Sequence, residues 1–236
     1  ATPVQRTSPE PMEKVGQAYG FILYSTTVTG PRSGMNLVLQ EVRDRALVFA
    51  DGKYIGTTER WNPVELPLEV PAEGLRLDIL VENMGRVNYG PLMRDPKGIT
   101  EGIRLGNQFL YDWTIRPLPL DSLEALEFEG NDGQQAVGGS AEEPDASGTA
   151  GSLPTFYRGT FNVEEKADTF LRLDGWTKGI AFLNGFNLGR YWEVGPTRTL
   201  YVPAPLLREG ENELIVFELH GTEASVVRLT DQADLG

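Results

Sequence analysis

Short runs of alternating or β-branched apolar residues recur along the chain. The first half carries FILYSTTV, MNLVLQEV, ALVFA and LRLDILVE, and the second carries TFLRLD, GIAFLNG, TLYVPA, ELIVFEL and SVVRL. Turn residues separate these runs at intervals of about ten positions, a spacing typical of sandwich strands. A period of two sends alternate side chains to one face of a pleated strand, where a second sheet can cover them. The pattern therefore predicts an all-β protein built of antiparallel sandwiches. Helical periodicity is nearly absent. The best helical candidates, near Pro203–Leu207 and Pro117–Leu123, are one turn long.

The pattern also divides the chain. Residues 1–18 are proline-rich, with few large apolar groups, and read as an extended arm. A first β-domain is expected over 19–117 and a second over 154–236. Between them, 118–153 reads as a connecting strand followed by EGNDGQQAVGGSAEEPDASGTAGSL at 129–153. That stretch has no aromatic residue and cannot bury enough surface to offset its ordering entropy, so it reads as a flexible loop or linker.

The two β-rich segments repeat one another. Asp51-Gly52, between Ala46–Ala50 and Lys53–Gly56, matches Asn184-Gly185, between Ile180–Leu183 and Phe186–Gly189. Both pairs suit the centre of a type I′ hairpin, where each residue needs φ > 0. A second match follows in the same order: LDILVENMG (77–85) lies over ELIVFELHG (213–221), placing Glu82 over Glu218 and Gly85 over Gly221. Duplication of one sandwich explains both matches.

Composition narrows the function classes. The 236 residues suffice for two domains, and 40% hydrophobic with 23% charged residues marks a globular chain. A net charge of −13 repels phosphate backbones and anionic lipid, so nucleic acid and membrane surfaces are poor partners. Neutral sugars meet no such penalty. With no Cys, the chain offers no disulfide, thiol nucleophile or thiolate metal site, and the single His220 cannot form a multi-His centre. No metal and no cofactor is expected. No run is long enough to cross a bilayer as a helix. The N-terminus, ATPVQRTSPEP, lacks the apolar core of a signal peptide and reads as the cut end of a longer chain. No Asn-x-Ser/Thr sequon occurs. The compartment is not fixed by these features, and a bacterial, extracytoplasmic setting is the expectation.

Five stretches carry a family resemblance: GQAYGFILYSTTVTGP (16–31), LVENMGRVNYGP (80–91), LPTFYRGTF (153–161), DTFLRLDGWTKGIAFLNGFNLGRYWEVGPTRTLYVPAPLL (168–207) and GENELIVFELHG (210–221). They resemble the C-terminal half of family 35 glycoside hydrolases, which are retaining β-galactosidases. The resemblance implies a plan of one catalytic (β/α)₈ barrel followed by two galactose-binding-like jelly-roll domains. This chain looks like the two β-domains without the barrel. The family's acid/base and nucleophile glutamates lie on the barrel, and no motif here matches their positions. The expected function is thus that of a non-catalytic region that supports the barrel of its parent chain and binds galactosides weakly. An independent module for β-galactosides is the alternative.

The residue chemistry agrees. A retaining glycosidase needs two carboxylates about 5–5.5 Å apart, one of them with a raised pKa. Glu82 and Glu218 are the only carboxylates in matching contexts, and as repeat equivalents in different domains they read as structural strand-end groups. Aromatic residues are the better binding candidates, because the C–H face of a sugar stacks on a ring. Trp61 and Trp192 each follow a hairpin, and Trp176 sits in the turn Asp174-Gly175-Trp176-Thr177. These three are candidate sugar contacts, with core packing as the competing role. Trp113, in Tyr111-Asp112-Trp113, reads as packing. The irregular loop at 83–90, NMGRVNYG, carries polar and aromatic side chains on a rigid sheet, a usual setting for recognition. The resemblance implies that it faces the barrel, with Asn83, Arg86, Asn88 and Tyr89 as the candidate docking residues; a self-contained loop held by its own hydrogen bonds is the competing reading.

Overall fold

The computed structural model describes residues 2–91, 93–128, 153–222 and 226–236. The acidic segment read as a linker at 129–153 lies outside the described residues, apart from Leu153. The chain forms two compact units, Ala1–Asp121 and Ser122–Gly236. The strands of both units pair antiparallel.

The first unit holds β1 (Val4–Arg6), β2 (Phe21–Val28), β3 (Arg32–Arg43), β4 (Arg45–Ala50), β5 (Lys53–Glu59), β6 (Leu66–Val70), β7 (Leu75–Glu82), β8 (Gly98–Leu105), β9 (Gln108–Phe109) and β10 (Trp113–Leu118). They form a six-stranded sheet, β1-β10-β2-β7-β4-β5, and a four-stranded sheet, β6-β3-β8-β9. Alternation along the strands builds the core between them. Ile22, Tyr24, Ala46, Val48, Leu77, Ile79 and Val81 from the first sheet pack with Leu37, Leu39, Ile99, Ile103 and Leu105 from the second.

The second unit holds β11 (Thr155–Val163), β12 (Thr169–Arg172), β13 (Lys178–Leu183), β14 (Phe186–Trp192), β15 (Thr199–Val202), β16 (Gly210–Glu218) and β17 (Arg228–Thr230). Its sheets are β11-β16-β13-β14 and β15-β12-β17. Ala181, Leu183, Leu214 and Val216 of the larger sheet pack with Leu171, Leu200 and Val202 of the smaller.

The repeat is visible strand by strand. The order β2-β7-β4-β5 in the first unit recurs as β11-β16-β13-β14 in the second. Asp51 and Gly52 have φ of 46° and 75°, and Asn184 and Gly185 have φ of 50° and 82°, which is the type I′ geometry. Each turn is tied to a third strand in the same way. Asp51 N–H donates to Arg76 O at 2.8 Å and its carboxylate accepts Arg76 N–H, while Asn184 N–H donates to Glu213 O at 2.8 Å and its side-chain oxygen accepts Glu213 N–H. Both hairpins also shift register at the same distance from the turn, between Val48 and Phe49 and between Ala181 and Phe182.

This register corrects the sequence match at the glutamates. Ala50 pairs with Leu77 and Leu183 pairs with Leu214, so Val81 is the equivalent of Glu218, and Glu82 is the equivalent of Leu219. Side chains alternate faces, so a shift of one residue moves a group to the other side of the sheet. Glu218 therefore points into its core where Glu82 points away from its own. The shared letter Glu concealed the slip, because hairpin geometry and not residue identity fixes strand register.

Two further expectations change. The N-terminal segment is built into the first unit: β1 pairs with β10, residues Met12–Val15 form a 3-10 turn, and Met12 is fully buried. Of the one-turn helical candidates, Ala204–Leu206 is a 3-10 turn, whereas Pro117 and Leu118 belong to β10.

Candidate functional site

The loop at 83–90 leaves β7 at its C-terminal end and divides its residues between holding and display. Asn83 is buried; its amide donates to Ala18 O at 3.1 Å and its carbonyl accepts Gly85 N–H at 3.0 Å. Arg86 donates twice to the same Ala18 O, at 3.0 and 2.7 Å, and pairs with Glu13 at 2.6 Å. Asn88 is exposed, and Tyr89 is 88% exposed. Of the four candidate docking residues, two secure the loop and two face solvent.

Beneath the loop lies a buried ionic cluster that sequence reading did not single out. Lys97 Nζ sits 2.9 Å from both oxygens of Asp44 and 2.9 Å from Asp95. Arg60 reaches Asp95 at 2.7 Å and Asp44 at 3.3 Å, and Arg43 reaches Asp95 at 3.0 Å. Asp44 also accepts Met84 N–H at 2.9 Å, which joins the cluster to the loop. Buried charges need partners to persist, and here Asp44 faces two cations and Asp95 three. Burial works to raise the Asp95 carboxyl, but hydrogen bonds from Lys97 and Arg60 outweigh it and hold the group below the usual carboxylate range. The signal for the cluster in the sequence was the charged run Arg43-Asp44-Arg45 between apolar strands, with Asp95-Pro96-Lys97 beyond the loop.

The tryptophans have different fates. Trp113 is fully buried, with its indole N–H on Leu110 O at 2.9 Å. Trp61 is 54% exposed in the first unit. Trp176 and Trp192 both lie in the second unit. Trp176 is buried; its indole N–H donates to Val226 O at 3.0 Å, and its ring meets Tyr157 edge-on at 5.1 Å. Trp192 is half-buried, with the Nζ of buried Lys178 lying 4.7 Å from its ring centroid.

Behind these rings sits Glu218, fully buried. Its two oxygens accept Tyr191 O–H at 2.8 Å and the backbone N–H groups of Thr177, Lys178 and His220 at 3.0, 3.3 and 2.9 Å. Burial raises the Glu218 carboxyl above its ordinary value, against the pull of these four donors. Burial and the neighbouring Glu218 likewise push the Tyr191 phenol far up. Gly179 makes room for this packing, since a Cβ there would lie 1.8 Å from Phe217 O and 2.7 Å from Tyr191 Oη. His220 contributes its backbone N–H.

Trp176, Tyr191 and Trp192 also line a pocket of about 210 Å³, rimmed by Arg172, Asp174, Glu193, Arg198 and Asp234. Arg172 pairs with Asp174 at 2.8 Å and with Asp234 at 3.4 Å, and Arg228 pairs with Asp174 at 3.5 Å. Among the described residues, no group of three or more His, Asp or Glu side chains is placed to hold a metal ion.

Residues 9–119 match a family model described as β-galactosidase, first all-beta domain, and residues 154–212 match one described as β-galactosidase, galactose-binding domain. Beta-galactosidase 17 of Arabidopsis thaliana is 42% identical over 236 residues, which covers 92% of this chain and 33% of the relative. The β-galactosidase of Xanthomonas manihotis is 40% identical over 203 residues, covering 85% of this chain and 31% of the relative. The human β-galactosidase is 39% identical over 234 residues, covering 94% of this chain and 34% of the relative. The chain spans about a third of the length of the curated relatives it matches.

Proposed function

Because the chain belongs to the β-galactosidase family, as a first all-β domain followed by a galactose-binding domain, we propose that it is the non-catalytic C-terminal region of a retaining enzyme of glycoside hydrolase family 35. Its partner is the catalytic barrel of the parent chain. Its first unit docks on that barrel through the loop at 83–90, with Tyr89 and Asn88 as the contacting residues.

One observation carries this reading. Tyr89 is a large aromatic side chain held out in solvent on a loop whose base is fixed by Asn83, Arg86 and a buried ionic cluster. Fixing a loop while exposing an aromatic at its tip favours recognition, because the ordering cost of the contact is met before the partner arrives. A second reading, an independent module for β-galactosides, is favoured by the pocket beside Trp192.

The test uses the longer chain that includes the barrel. Tyr89→Ala is expected to lower kcat/KM for a β-galactoside by about threefold to tenfold, the scale of one lost aromatic contact. Thermal unfolding of the β-domains should be unchanged, since an exposed side chain contributes little to folding. An unchanged kcat/KM would remove the loop from the enzyme's working surface.

A further inference from the structure

We propose that the outer edge of β11 pairs with the same edge of a second copy of this chain. The two strands run antiparallel about a two-fold axis that passes through Gly159, perpendicular to the sheet, so the larger sheets of the two copies continue as one.

The internal repeat shows what such an edge takes. Ile22 pairs with Val81 and Thr155 with Glu218, so β11 is the equivalent of β2 and Tyr157 that of Tyr24. The outer edge of β2 carries β10, antiparallel, with Ile115 opposite Tyr24. Among the described residues, β11 pairs with β16 alone, which leaves the N–H and C=O groups along its other side without a strand partner there. Six of the eight residues of β2 are buried, whereas none of the nine of β11 is. Phe156, Tyr157 and Phe161 are therefore only half-covered, and an added strand would cover more of each.

β11 carries none of the features that blunt an edge. Its sequence, TFYRGTFNV, has no Pro and no Lys, and it pairs with β16 at nine consecutive positions without a bulge. Its one charged residue, Arg158, is matched by Glu213 at 2.7 Å and lies over the Phe128 ring, 5.6 Å from the centroid. It brings no unmatched charge to the edge.

The occupant follows from the register. A two-fold axis generates the antiparallel pairing that β10 makes with β2. With the axis at Gly159, all nine residues find partners, Thr155 opposite Val163. Tyr157 then faces Phe161 of the second copy, twice by symmetry, and Arg158 faces Thr160, so no like charges stand opposite one another. An axis at Arg158 would set two guanidinium groups face to face, and one at Thr160 would leave Thr155 and Phe156 unpaired. Nine positions supply about eight to ten backbone hydrogen bonds, because bonded and non-bonded pairs alternate.

Sedimentation equilibrium of the 236-residue chain, from about 1 to 200 μM at about 150 mM salt, tests the pairing. The mass should rise from 26.0 kDa toward twice that value, with a Kd of about 10 μM, the weak end expected of a single-strand contact. Gly159→Lys sets two ammonium groups opposite each other at the axis, while it lowers the overall repulsion between copies of net charge −13. It should weaken the dimer at least about tenfold, and about 1 M salt should recover part of the loss. Gly159→Ala should leave the dimer intact. Nothing lies within 4 Å of a Cβ at this position, so thermal unfolding of the monomer should be unchanged in both variants. A chain that stays monomeric up to about 200 μM would overturn the pairing, and a dimer indifferent to Gly159→Lys would overturn the edge as its site. Slow amide exchange at every N–H of Thr155–Val163 in the dilute monomer would mean that the chain fills its own edge, and would overturn the second copy as occupant.

Discussion

Glu218 puts a carboxyl group where the first sandwich keeps Val81, in a row of inward-facing positions. Four donors surround it, so the position works only for a group that accepts at both oxygens. Burial raises its folded-state pKa above the ordinary 4.5, while the unfolded chain titrates near that ordinary value. The folded state therefore keeps its proton to a higher pH than the unfolded state does. Stability from this group is fully present below the unfolded pKa and is lost as pH rises through the folded one. Urea unfolding of the chain at a series of pH values from about 4 to 8 should show this fall. Glu218→Gln should remove that slope. It should also cost about 1–3 kcal/mol, because the amide NH₂ replaces an acceptor and faces N–H and O–H groups that need one. Parallel pH curves for the two proteins would show that Glu218 does not titrate within the window.

At the scale of the element, the hairpins were legible in the sequence because turn chemistry is local. Asp51-Gly52 and Asn184-Gly185 specify the β4–β5 and β13–β14 turns within a few residues, and the φ angles agree. The cost of losing that chemistry can be isolated, since nothing lies within 4 Å of a Cβ added at Gly52 or Gly185. Gly52→Ala and Gly185→Ala should each destabilise their own unit by about 1–2 kcal/mol through left-handed backbone strain alone. Denaturant midpoints would measure it, and a shift near zero at either site would mean that its turn relaxes to another type. What was not legible depends on distant partners. The pairing of β1 with β10 joins residues on opposite ends of the first unit, so the arm could not be read as a strand from its own composition. Asn83 and Arg86 look like recognition residues until Ala18 and Glu13, far away along the chain, are seen to occupy them. The one-residue slip between Glu82 and Glu218 has the same origin: sheet register is set by neighbouring strands, and the matched letters carry no trace of it.

Across the whole molecule, the ingredients of glycosidic chemistry occur but are kept apart. A retaining mechanism needs two close carboxylates, one of which stays protonated near neutral pH. The first unit has a close pair, Asp44 and Asp95, both within 2.9 Å of Lys97 Nζ. That pair is buried under three cations, and Asp95 is held below the ordinary range, so it offers no proton to a leaving group. The second unit has a carboxyl of raised pKa, Glu218, but its oxygens face N–H and O–H donors. Among the described residues, neither the Asp44–Asp95 pair nor Glu218 combines proximity with a retained proton, and none of the three carboxyl groups is exposed. The purified 236-residue chain should therefore hydrolyse a chromogenic β-galactoside no faster than buffer at any pH between about 4 and 8. The decisive measurement is turnover before and after repurification of the chain. A rate that persists in the repurified protein, and that falls on Asp95→Asn or Glu218→Gln, would place acid–base chemistry in these β-domains and would refute their assignment as the non-catalytic part of the enzyme.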